Sequence, residues 1–415
     1  MRVLVMGAGV IGVTTAYQLL KDGHEVIVVD RDSEPASFTS YANAGLVAPG
    51  HAYAWASPRA PAMMFKSLWR NDQAIRFRPS LDPRLWAWTW QFLGQCNAKS
   101  AERNTLNKLR LCRYSQQQFD ALNDELSLEY DGRGGGLIYF YRSAQSLEAA
   151  AAKCEILRRQ GLEIETLDRD ALVAADPGLA PAADIIAGGL MAKTDASGDT
   201  RLFTIALAKA CADMGAEFRM GHEVEEIECN GKRVTRIVTD HGQLVADAYV
   251  LSLGVFSPQF AKALGIKLPI YPIKGYSVTL PVSDNHDPPR LGGVDEDNLL
   301  AYCPLGDRLR LTATAEFAGY SNDHRPSDFD NMLAKAKELL PHAADFSRPD
   351  YWAGLRPMTP TGLPIIDRSP IDNLWLNTGH GHMGWTMSCG SARILADLIA
   401  QRKPAIARDG MHYGN

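Results

Sequence analysis

Arg2-Val3-Leu4-Val5-Met6-Gly7-Ala8-Gly9-Val10-Ile11-Gly12 opens the chain, and Val26-Ile27-Val28-Val29-Asp30-Arg31 follows after one helix-like stretch. A short apolar run enters a Gly-x-Gly-x-x-Gly turn. Helical residues reach Leu20, Gly23 breaks them, and a second apolar run ends on an acid. Strand, glycine turn, helix, strand and acid in this order predict a βαβ unit that binds an adenine dinucleotide. Gly7 is read as permitting the tight turn, Gly9 as letting the backbone approach a pyrophosphate, and Gly12 as letting helix and strand pack closely. Free N–H groups of Val10 and Ile11 at the helix start suit phosphate oxygens. Asp30 is placed to accept hydrogen bonds from a ribose.

Working outward, 415 residues suffice for two domains or one large domain with an insertion. The hydrophobic fraction of 46% and charged fraction of 22% are those of an ordinary globular protein. A net charge of −5 and a pI near 6.1 give no reason to expect nucleic acid. The fingerprint begins at residue 2, so a cytoplasmic protein without a leader is expected. The seven cysteines are scattered without a C-x-x-C pair, which favours reduced thiols over a disulfide framework or zinc site.

Small residues from Thr39 to Gly50 form a loop that can pass close to something flat. From 61 to 92, Met63, Met64, Phe65, Leu68, Trp69, Leu85, Trp86, Trp88, Trp90 and Phe92 lie among arginines and lysines. That texture fits a packing surface with a charged rim better than a bilayer interface, and a membrane surface stays open as a partner. A long amphipathic helix is expected over 101–126, a strand at 137–141, a helix at 146–160, and a hairpin at 224–239 around Asn230-Gly231. The apolar run Ala248–Leu253 reads as a buried parallel strand, and 269–349 as a mixed sheet with one helix.

At the other end, Leu374–Asn377 enters Thr378-Gly379-His380-Gly381-His382-Met383-Gly384-Trp385-Thr386, followed by an amphipathic helix. Strand, glycine loop and helix recreate an anion-favouring terminus near Gly384. It would suit the negative charge that a reduced flavin carries near N1 and the C2 carbonyl. His380 and His382 lack the partners a metal site needs, so no metal is expected. Cys389 is read as core.

These residues closely resemble the bacterial FAD-dependent D-amino-acid dehydrogenases, within the D-amino-acid/glycine/sarcosine oxidase superfamily. The resemblance rests on the fingerprint, Thr-Ser-x-Ala-Asn-Ala-Gly at 39–45, Tyr-Pro-x-Lys-Gly-Tyr-Ser at 271–277, Gly-Leu-Arg-Pro-Met-Thr-Pro at 354–360 and the loop at 374–387. It implies a Rossmann-like α/β FAD-binding domain (1–92, 195–268, 350–415) interleaved with an α+β mixed-sheet cap (93–194, 269–349). Gly7, Gly9, Gly12, Asp30 and Arg31 would hold the ADP part of a non-covalent FAD, with Val224 and Gly254 nearby. Ser40, Asn43, Ala44 and Gly45 would lie along the isoalloxazine, and Gly379, His382, Met383, Gly384, Trp385 and Thr386 would meet its pyrimidine edge. Arg356 would grip the substrate carboxylate, and Tyr276, Tyr302, Tyr53 and Trp55 would wall the pocket.

The implied activity is oxidative deamination of D-amino acids, with electrons passing to a quinone or other carrier. An oxygen-using oxidase of glycine, sarcosine or D-proline is the alternative. Two departures stand out: Thr361-Gly362 replaces a common Asp-Gly, and Thr312-Ala313 replaces a common Gly-Gly. The added bulk would face the pocket and leaves a cyclic substrate such as D-proline or D-hydroxyproline open. A nicotinamide dehydrogenase and a non-catalytic flavin scaffold are further rivals, and oligomeric state is not read from the sequence.

Overall fold

The computed structural model describes residues 1–67, 75–78 and 80–414. Leu68, Trp69 and Arg70 of the aromatic-rich stretch lie outside the described residues. Two sheets organise the chain.

The first sheet has six strands in the order Ile365–Arg368, Leu374–Thr378, Ala248–Leu251, Arg2–Met6, Glu25–Asp30, Glu217–Met220. All neighbours run parallel except the first pair. Its strands are apolar on both sides because both faces are covered, and alternation divides the cover. Val3, Val5, Val26, Val28, Ala248 and Val250 pack beneath the helices Val10–Lys21, Ala98–Leu126, Thr200–Asp213 and Gly384–Ile399. Leu4, Met6, Ile27, Val29, Tyr249 and Leu251 pack instead on the hairpin Val224–Asn230 and Arg233–Thr239.

The second sheet is antiparallel in most of its extent and carries nine strands. Its path runs Asp350–Met358, Tyr271–Pro281, Arg308–Phe317, Leu300–Leu305, Gly292–Asp295, Leu137–Tyr141, Gly188–Ala192, Ile164–Asp168, with Ile75–Phe77 added beside Arg308–Phe317. Its core is separate and includes Val278, Tyr302, Leu311, Phe329 and Leu339.

Three segments therefore depart from the expected division. Asp350–Met358 was placed with the nucleotide domain but pairs with Tyr271–Pro281 from Tyr271↔Met358 to Thr279↔Asp350. Ile75–Phe77 likewise joins the second sheet, through Ala315↔Ile75 and Phe317↔Phe77. The Ala98–Leu126 helix, placed with the cap, buries Leu109, Cys112, Phe119 and Leu122 against the nucleotide-side helices. Its apolar stripe finds its cover there, and burial of such a stripe decides where a helix docks. In the 61–92 stretch, the Pro83–Gln95 helix buries Leu85, Trp88 and Phe92 but leaves Trp86 and Trp90 exposed.

Candidate active site

A cavity of about 680 Å³ runs from the end of Arg2–Met6, between the two sheets, to Arg356. Most of the residues singled out from the sequence line it, and they sort by the element that carries them.

At one end lies the glycine turn. Gly7 has φ +107, and a Cβ there would sit 2.7 Å from the Ser252 carbonyl oxygen. Gly12 does not line the cavity; a Cβ on it would meet the Gly7 carbonyl oxygen at 1.8 Å. Its contribution is the close approach of helix to turn. The Val10–Lys21 helix carries no acid in its first turn, and Gly9, Val10 and Ile11 face the cavity. Asp30 accepts from the Ala8 N–H at 2.6 Å and the Asp32 N–H at 3.0 Å, which fixes its carboxylate at the cavity wall. Arg31 also lines it, its guanidinium 4.5 Å from the Phe256 ring centroid and 5.5 Å from that of Phe38. Val224 and Gly254 complete this end.

The middle is formed by two loops. Ser40, Asn43, Ala44 and Gly45 line one side. Ser40 Oγ accepts from the Val10 N–H, and Asn43 Oδ1 accepts from the Gly45 N–H and the Thr200 hydroxyl, so side chains pin this loop to both helices. Opposite stand His382, Met383, Gly384, Trp385 and Thr386. Gly379 does not line the cavity; at φ +80 it makes the turn that brings the loop there. Thr386 Oγ1 accepts from the Ala48 N–H and so ties the two loops together. Trp385 Nε1 and His382 Nε2 are buried without a hydrogen-bond partner. Burial keeps the His382 imidazole neutral, its pKa well below the usual value. His380, by contrast, is engaged with Ser391 Oγ at 2.9 Å.

The far end holds Arg356 on the Asp350–Met358 strand. Its Nη1 donates to the Thr314 carbonyl at 3.0 Å, and among the described residues it forms no ion pair. Burial lowers its pKa to about 10, which leaves it a cation at neutral pH. Trp55 stacks on His382 with centroids 4.5 Å apart, and Tyr53 lines the cavity beyond it. Tyr276 presents its ring to the cavity while its hydroxyl donates to Glu316 at 2.7 Å. Thr312 and Ala313 also line the wall.

Tyr302 is a correction. It is fully buried, lies outside the cavity, and packs in the core of the second sheet beside Phe140. Alternation explains this: its neighbour Ala301 faces the cavity, so Tyr302 must face away. Conversely, the sequence reading passed over His51, Tyr139, Lys153, Asp195 and Glu296. Asp195 accepts from the Tyr139 hydroxyl at 2.7 Å and the Gly50 N–H at 2.9 Å, and burial raises its pKa to about 7. His51 directly follows the small-residue loop and was the one legible signal among them.

The residues fit FAD. A cradle too tight for any Cβ meets a helix start free of acids, and two buried nitrogens wait unpartnered on the loop opposite.

Comparison with known proteins agrees with this geometry. Residues 2–398 match the family model described as DAO, FAD dependent oxidoreductase. "D-amino acid dehydrogenase 2" of Mesorhizobium japonicum is 45% identical, covering 100% of both chains. "D-amino acid dehydrogenase" of Granulibacter bethesdensis is 42% identical over 98% of this chain and 97% of its own. In fold, the chain is similar to glycine oxidase of Geobacillus kaustophilus, with a TM-score of 0.78 at 21% identity, covering 100% of this chain and 99% of the other. With the chain matched from Arg2 almost to its end, this protein belongs to the DAO family of FAD-dependent oxidoreductases.

Proposed function

We propose that the protein oxidatively deaminates D-amino acids to 2-oxo acids and ammonia, with Arg356 as the carboxylate anchor. The observation that carries this reading is a buried guanidinium at the end of the cavity, held by one backbone carbonyl and by no acid among the described residues. A buried cation without a counter-ion is costly, and a planar fork is matched best by a carboxylate. The chain's near-full-length likeness to D-amino acid dehydrogenases supplies the substrate's chirality.

Bound FAD supplies the two-electron acceptor for the α-hydrogen of the substrate. The chain's own residues bind, orient and dry the reactants. Arg356 fixes the carboxylate and Tyr276 and Trp352 close the wall beside it. His382, neutral and stacked on Trp55, adds no charge that would repel a substrate amine. No protein acid or base is needed: a neutral amine assists departure of the hydride, and water hydrolyses the imino acid. Holding the α-carbon in one orientation away from solvent is the contribution required of the protein. Residues along the cavity from Gly7 to Thr386 hold the cofactor as assigned above, without a covalent bond.

Electrons leave to a quinone or another carrier. What supports a membrane surface as the place of transfer is the exposed side of Pro83–Gln95, where Trp86 and Trp90 project beside the fully exposed Leu81. No helix among the described residues is long and apolar enough to cross a membrane.

The test is anaerobic bleaching of the flavin absorbance by D- and L-amino acids, glycine, sarcosine and D-proline. Bleaching by D-amino acids with slow recovery in air is expected. A yellow protein that no amino acid bleaches would refute the activity.

A further inference from the structure

Beyond Arg356 the cavity has a polar arm that a carboxylate anchored there leaves unused. His51, Tyr53, Tyr141, Lys153 and Glu296 stand on its walls. They come from the loop after the flavin-facing segment, from the Leu137–Tyr141 strand, from the Ala144–Arg158 helix and from the end of Gly292–Asp295. The arm connects with the anchor. His382 feels the charges of both Arg356 and His51, and Tyr53 meets the His51 ring edge-on with centroids 6.0 Å apart.

Glu296 is its most informative residue. His51 Nε2 lies 2.8 Å from Glu296 Oε1, yet that oxygen is buried without a hydrogen-bond partner. The imidazole is therefore close enough to stabilise the charge but is not aligned to donate. Burial pushes the Glu296 carboxyl up, but His51 and Lys153 outweigh it and hold it below the usual range. Glu296 is an anion, and an anionic carboxyl can only accept. A buried acceptor left open on a cavity wall is costly unless a ligand completes it.

The charge balance of the arm narrows the ligand. Lys153 holds its ammonium 3.9 Å from the centroid of Tyr53, so one cation accompanies the one anion. A side chain ending in a charge would meet a like charge in either case. An apolar side chain would leave Glu296 open. A neutral group that both donates and accepts suits both partners.

Resting on the assignment of Arg356 as carboxylate anchor, we infer that Glu296 sets side-chain specificity. It accepts a hydrogen bond from the hydroxyl or carboxamide of a D-amino acid substrate, while Lys153 donates to the same group. This residue touches substrate but takes no part in the redox step.

The experiment uses the FAD-loaded full chain and matched substrate pairs, D-glutamine against D-methionine and D-threonine against D-valine, with D-alanine as reference. The wild type is expected to prefer the polar member of each pair. Glu296→Met should lower kcat/KM for D-glutamine and D-threonine about tenfold or more, chiefly through KM, and leave D-alanine within about twofold. Glu296→Gln, which keeps shape and one acceptor oxygen, should recover part of the loss. An equal loss on all substrates, or a wild-type preference for the apolar members, would overturn the inference. If Glu296→Met does not fold, the Gln variant decides: an unchanged ratio of D-glutamine to D-alanine turnover overturns it. Failure of every D-amino acid to bleach the wild-type flavin would instead strike the activity itself, whereas bleaching by D-alanine without polar preference strikes Glu296 alone.

Discussion

Gly275 lies directly against the guanidinium of Arg356: a Cβ at this glycine would stand 2.4 Å from Cζ and from Nη2. The two residues sit on neighbouring strands, where Gly275 pairs with Gly354 and Arg356 pairs with Ile273. The absent side chain is thus the space into which the cation folds. The backbone at Gly275 does not occupy the left-handed region, so alanine is conformationally tolerated there. Gly275→Ala should keep its flavin but displace Arg356, raising KM for D-amino acids about tenfold or more. Steady-state kinetics on the yellow variant would check this, and an unchanged KM would separate Gly275 from the anchor.

Arg356 itself should be decisive for turnover and dispensable for the cofactor. Removing a desolvated guanidinium that pairs with the substrate carboxylate is expected to lower kcat/KM about 100-fold or more. Arg356→Lys should recover little, since an ammonium cannot bind a carboxylate through a planar fork. Absorbance at the flavin bands and stopped-flow reduction would read the two effects separately. Loss of flavin along with activity would assign Arg356 a structural part.

Tyr302→Phe tests the corrected placement. The hydroxyl is buried without a partner and lies outside the cavity, so deleting it should leave kcat and KM unchanged. Stability should hold or rise slightly, because an unsatisfied buried hydroxyl is removed. A fall in turnover would return Tyr302 to the site.

Asp195 gives the protein a pH-dependent weakness. Burial raises its pKa from 3.8 to about 7 in the folded chain. The folded state therefore binds more protons than the unfolded one between these values, and stability falls as pH rises from about 4 to 7. A shift of this size corresponds to about 4 kcal/mol when fully expressed. Asp195→Asn keeps an acceptor for Tyr139 and Gly50 but cannot ionise. Thermal melts of the two holoproteins should diverge in favour of the variant as pH rises to 7 and run parallel above it. Melts that stay parallel from pH 5 to 8 would show that Asp195 ionises at its ordinary value.

Local spacing made the nucleotide end readable, because glycine turn, helix start and Asp30 all lie within one βαβ unit. The parity of Leu300–Leu305 was not readable, since an aromatic between Ala301 and Cys303 carries no mark of which face is the cavity. Nor could the sheet membership of Asp350–Met358 be seen: its partner lies across the chain at Tyr271–Pro281, and a strand's own residues do not name its neighbour. Glu296 sits in the run Asp295-Glu296-Asp297, which reads as a solvated turn. Only folding brings it against His51, far away in sequence. Contacts made by residues remote in the chain are the part that composition and periodicity do not encode.

The tryptophans of Pro83–Gln95 divide by helical face, and their variants should divide likewise. Trp88 is 3% exposed, stacks on Phe92 with centroids 5.0 Å apart, and donates from Nε1 to the Met358 carbonyl at 2.8 Å. Trp88→Ala should cost about 3–5 kcal/mol through the cavity left and the hydrogen bond lost. It would also loosen the strand that ends just beyond Arg356. Trp90, 80% exposed, makes no such contribution, and Trp90→Ser should move stability by no more than about 0.5 kcal/mol. If this face meets a membrane during electron transfer, Trp90→Ser should lower co-sedimentation with lipid vesicles while leaving anaerobic flavin reduction by D-amino acids intact. Denaturant melts, vesicle sedimentation and stopped-flow reduction on the same pair of variants separate packing from docking. Equal vesicle binding by wild type and Trp90→Ser would remove the membrane from this face.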